Sequence, residues 1–99
     1  MDHNPNMTMA KLIVPILRDY AVNRHGIPGT FIETMGYTGM VPESENDHVS
    51  EVWDATIEQM IAAFELIAND HYRDGSGNEL PEVRAGLTFF AEYFNNLWS

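Results

Sequence analysis

The chain has 99 residues, 44% hydrophobic and 11% aromatic, with fifteen Asp and Glu against five Lys and Arg for a formal charge of -10. That length supports one core and one domain over 1–99, and that composition excludes wholesale disorder. The charge excludes nucleic acid and anionic membrane as partners over most of the surface, and the absence of cysteine removes disulfides, thiolate nucleophiles and zinc–thiolate sites together.

The stretch "MDHNPNMTMAKL" lacks a basic n-region, and no apolar run approaches the roughly 18 residues of a membrane span, so a cytoplasmic location is expected. Downstream, Leu12, Ile13, Ile16, Leu17 and Tyr20 form a helical stripe interrupted by Pro15. This pattern predicts a first helix capped by Thr8 and kinked near Pro15. The competing arrangement has "AKLIV" extended and the helix starting at Pro15. Gly26 suits the left-handed position after the helix, with Ile27 folding back and Pro28 blocking continuation.

Residues 29–49, "GTFIETMGYTGMVPESENDHV", sustain neither a 2.0 nor a 3.6 period and contain Gly29, Gly36, Gly39 and Pro42. They read as a long irregular loop, a length that points to function or partial disorder.

Trp53, Ile57, Met60, Ile61, Phe64, Ile67 and Ala68 then share one face of a helix over 51–71. Ser50 is placed to cap it, and Glu51 and Asp54 lie in its first turn, where negative charge meets the positive end of the helix dipole. The stripe has the width of one buried face, with Trp53, at its start, the expected exception.

The segment "HYRDGSGNELP" supplies Gly75 and Gly77 for a chain reversal. As a calcium loop it fails, because Tyr72 and Pro81 fall where a third-position ligand and the bidentate Glu belong. Pro81 opens a last helix over 81–97, whose stripe is Val83, Leu87, Phe90, Ala91, Phe94, Leu97 and Trp98. The expected fold is therefore all-α: a small helical domain with a C-terminal antiparallel helical hairpin and a long irregular loop between the first two helices. Phe89 and Tyr93 flank the last stripe, and a second apolar face there would favour a homodimer.

Motifs for chemistry are scarce. His3, His25, His48 and His71 show no metal-ligand spacing, so no metal site is expected. Glu58 and Glu65, seven apart, lie about 10.5 Å apart along a helix axis and fit a solvated face better than an acid/base pair. No phosphate-loop, dinucleotide or nucleophile-elbow pattern occurs, so neither an enzyme nor a cofactor is expected. Lys11, Arg18, Tyr20 and Arg24 could grip a phosphate if a second chain added charge; otherwise these bases cover the core edge and neutralise nearby carboxylates.

At "WDATIEQMIAAFELI", "AGLTFFAEYFNNLW" and "MAKLIVPILRDY...HGIPG" the sequence resembles small acidic proteins of unknown function in tailed bacteriophages, over nearly the whole chain apart from 30–48. The resemblance carries no catalytic residues. It implies a setting, the cytoplasm of an infected bacterium, where accessory proteins bind and block a host factor, such as one of defence. The expected function is a non-enzymatic inhibitor that occludes a host protein with a basic surface, using Glu43, Glu45, Asp47, Asp54 and Glu58. The alternative is an oligomer that sequesters a small anionic ligand, such as a signalling nucleotide, through Lys11, Arg18, Tyr20 and Arg24.

Overall fold

The structure, a computed structural model, describes residues 5–23, 27–38 and 40–97. It is all-α: α1 (Pro5–Asn23), α2 (Gly29–Thr34), a 3-10 turn (Glu43–Glu45), α3 (Asn46–Ala68) and α4 (Pro81–Leu97). The central element is α3. Both α1 and α4 pack along it and make little contact with one another. Arg18 of α1 pairs with Glu65 near the C-terminal end of α3, whereas Phe31, further along the chain, packs on Trp53 near its N-terminal end. The chain from α1 into α2 thus runs antiparallel to α3. The molecule is elongated, with a radius of gyration of 15.1 Å against about 13 Å for a compact chain of this length.

In α1, Pro15 lies inside the helix and Thr8 lies inside it too, not at its cap. Proline removes the bond its own N–H would give to the Lys11 carbonyl; both residues are exposed, so water can replace that bond. Ala10 and Leu17 are buried against the core. Gly26 and its capping role lie outside the described residues.

The expected loop over 29–49 is partly helical. Pro28 starts α2 by accepting bonds from the N–H groups of Phe31 and Ile32 at 3.0 and 3.2 Å. Gly36, at φ 96°, ends it: Gly36 N–H reaches the Glu33 carbonyl at 2.9 Å and Tyr37 N–H reaches the Ile32 carbonyl at 3.3 Å, a left-handed cap that suits glycine. A helix of 6 residues is under two turns, too short to generate a period in the sequence.

The start of α3 is also earlier than expected, at Asn46, which places Ser50 in the interior of the helix. Val49, 1% exposed, carries the buried face one turn upstream into a polar stretch. In consequence Trp53 is about two turns inside the helix and 0% exposed, which corrects the expectation that it escapes the core. Its ring lies against Phe31 and Tyr93 at 4.8 and 5.3 Å between centroids, and Phe31 meets Tyr93 at 5.7 Å. Three separate segments are thereby tied together. The other end of α3 closes with Asp70 in the left-handed region, His71 N–H bonding the Leu66 carbonyl at 2.8 Å.

The link to α4 is a tight turn. Asp74 Oδ1 accepts from the N–H groups of Ser76 and Asn78 at 2.8 and 3.0 Å, so this carboxylate is spent on turn geometry. Helix α4 begins at Pro81 as expected, but its inward face is rotated. Val83 and Tyr93 are the buried side chains among its described residues, whereas Phe94 is 47% exposed and Ala91 faces solvent. The cause is Gly86: a Cβ placed there would lie 2.4 Å from the Ala63 Cβ and 2.5 Å from the Gln59 carbonyl oxygen. Helices α3 and α4 approach most closely at this glycine, and that contact selects the line Val83, Gly86, Phe90, Tyr93 as the inward face. Trp98 lies outside the described residues.

Candidate functional site

A helix advances about 100° per residue, so Asp47, Glu51, Asp54, Glu58 and Glu65 fall within an arc of about 60° on the outer face of α3, over about 27 Å of its length. The first four are exposed and Glu65 half-exposed. Glu43 and Glu45 continue the acid beyond the start of the helix, in the exposed 3-10 turn. Of the five carboxylates expected to face a partner, Asp47, Asp54 and Glu58 therefore share this ridge, and Glu43 and Glu45 lie exposed in the turn that precedes it. Glu51 joins them; its place was visible as the three- and four-residue steps from Asp47 to Glu51 to Asp54. Such steps between like charges are unfavourable for the helix by about 0.2–0.5 kcal/mol each. Near its start the ridge is pinned to the loop. The Tyr37 hydroxyl is held above its usual value by partial burial of the ring, then by the hydrogen bond to Glu45 and the repulsion of its carboxylate.

Beside the ridge runs an apolar groove of about 490 Å³ between α2, α3 and α4. Phe31, Met35, Val52, Ala55, Phe89 and Tyr93 form its floor and walls, and His48, Glu51, Gln59 and Glu92 its rim. No Lys or Arg among the described residues lines it. Tyr93 is a core residue and Phe89 half-buried, so the second apolar face expected on α4 is instead part of the core and this groove.

Among the described residues the cations do not converge. Arg18 is ion-paired with Glu65, and Arg84 with Glu79 at 2.7 Å, while Arg73 stacks on Tyr72 with its guanidinium 4.9 Å from the ring centroid. Lys11 lies exposed on the Arg18 side of α1. Tyr20 is about 160° around the helix from Arg18 and packs on the core, so it is not part of a phosphate grip within one chain. Arg24 lies outside the described residues. Glu58 and Glu65 are on the solvent side, with Glu65 bound to Arg18 and unavailable to pair with Glu58 as acid and base.

Among the described residues no group of three or more His, Cys, Asp or Glu is arranged to hold a metal ion, and no helix is long and apolar enough to cross a membrane. His48 and His71 are exposed, and His3 and His25 lie outside the described residues. No protein-family model matches the chain, and no curated protein or solved structure matches it either.

Proposed function

We propose that this chain is a non-enzymatic binding protein whose acidic ridge docks on a basic surface of another protein and occludes it. The observation that carries the proposal is the alignment of Asp47, Glu51, Asp54 and Glu58 on one exposed helix face, with Glu43 and Glu45 exposed in the turn just before it. A solvated face has no need of such alignment, because carboxylates scattered over α1, α3 and α4 would keep the chain equally soluble without like-charge repulsion. The likeness to small phage proteins supplies the setting: a host factor as target and the bacterial cytoplasm as location.

The test is capture of a partner from bacterial lysate by the wild-type chain and by Glu51→Lys/Glu58→Lys. Binding through the ridge weakens by about tenfold or more from low to high ionic strength and is lost on charge reversal. A partner held equally at high salt by both proteins would overturn the proposal.

A homodimer is carried by α1. Met9, Leu12 and Ile16 are 58%, 64% and 47% exposed and share one outward stripe. Lys11 and Arg18, on the side next to the ridge, lie well around the helix from that stripe, so pairing of two copies there keeps their ridges apart. Leu12→Glu is expected to halve the measured mass in solution without loss of helicity. An unchanged mass overturns the dimer.

A further inference from the structure

We propose that the groove between α2, α3 and α4 is the anchor site for a basic amphipathic helix of the partner protein, whose apolar side chains enter it while flanking Lys and Arg meet the ridge and Glu92. The inference rests on the ridge proposal and specifies the element it recognises.

Three features select this occupant. First, His48, Val52, Ala55 and Gln59 follow one another along α3 at three- and four-residue steps, so the groove extends about 16 Å, three helical turns. That length and an open, apolar floor suit a helix laid in with anchors at matching steps. Second, both flanks are negative: Glu51 belongs to the groove and to the ridge at once, and Glu92 stands on the opposite rim with no Lys or Arg between them. An apolar anchor flanked by cations on either side satisfies both. Third, the charge argues against a second copy. Each chain carries -10, and seating one in the groove of another brings two strongly acidic molecules face to face.

The test uses the full chain carrying Trp98→Phe, which leaves Trp53 the sole tryptophan, in ring contact with Phe31 and Tyr93 of the groove. Two helical peptides of about 18 residues are titrated: one of leucine and lysine with its leucines on one face, and one of equal charge with serine replacing leucine. The leucine peptide is expected to bind about tenfold tighter, with a shift in Trp53 emission, because one buried apolar anchor is worth about that factor. Ala55→Phe, an exposed position on the groove floor, is expected to abolish the difference between the peptides, and Glu92→Gln to weaken the leucine peptide about threefold.

Equal affinity for the two peptides overturns the anchor site and leaves the ridge proposal standing. So does a leucine preference that survives Ala55→Phe. No binding of either peptide at low salt overturns both. If Ala55→Phe turns a dimer into a monomer, the groove holds a second copy and the inference fails.

Discussion

Trp53 packs edge-on to Tyr93 at 5.3 Å, interplanar angle 85°, with Phe31 tilted against the same indole at 4.8 Å. The Trp53 Nε1 donor is buried without a hydrogen-bond partner, so the indole is held by ring packing and burial. Trp53→Ala and Phe31→Ala are each expected to destabilise the chain by about 3–5 kcal/mol in chemical denaturation. Trp53→Phe should be milder, since it keeps a ring and removes the unpaired donor. Phe31→Ala with no loss of stability would show that α2 is not a structural part of the core.

Gly86 is expected to resist the substitution that helix propensity favours. Alanine gains about 1 kcal/mol in an unconstrained helix, but its Cβ here meets Ala63 and the Gln59 carbonyl at 2.4 and 2.5 Å. Separation of α3 from α4 should leave a net loss of about 1–3 kcal/mol. Adding Ala63→Gly should restore part of it, because the contact with the Gln59 carbonyl remains. Stabilisation by Gly86→Ala alone in thermal melts would contradict the close crossing.

The ridge predicts opposite effects on stability and binding. Glu51→Gln removes like-charge steps to Asp47 and Asp54, and Glu58→Gln the step to Asp54, so each should raise stability by a few tenths of a kcal/mol at low salt. The same variants should weaken partner binding. A partner indifferent to both changes would rule out the ridge as the contact.

Arg18 joins α1 to α3 through Glu65 with both side chains about half exposed, 51% and 44%. Such a pair contributes about 0–1 kcal/mol and less at high salt. Arg18→Ala is therefore expected to shift the melt only slightly. The competing ligand-sequestering reading requires nucleotides to raise the melting temperature of the wild type and not of Arg18→Ala. The expected outcome is no rise in either protein.

Tyr37 gives a pH signature. Its folded hydroxyl titrates above the ordinary value of 10.0, so the folded chain holds this proton more tightly than the unfolded one. The stabilisation is fully present below pH 10, declines as pH rises past it and is gone above the folded value. Ultraviolet titration should show a phenol that ionises above pH 10 in the wild type and is missing in Tyr37→Phe. A smaller shift in Glu45→Gln would report the part that Glu45 adds to burial, and an unchanged one would assign the shift to burial alone.

That the chain is helical, and that two long helices fill its C-terminal half, is legible in the residues alone, because Trp53 to Ile67 and Val83 to Phe90 repeat at the helical period and Pro81 marks a start that needs no tertiary partner; the polar first turn of α3 at Asn46 is not. The sequence also placed each acidic residue, since charge is legible without coordinates. The stripe of α3 also marks its buried face, whereas the face that α4 turns inward was set by packing. Gly86 has no hydrophobicity to register, yet its missing side chain lets α4 approach α3 and exchanges Phe94 for Tyr93 in the core. Phe31 lies in a helix too short for periodicity, and its role depends on a tryptophan far along the chain. The alignment of the carboxylates beside an apolar groove is likewise a product of packing: the groove exists only where three elements, separate in sequence, meet and fail to fill the space between them.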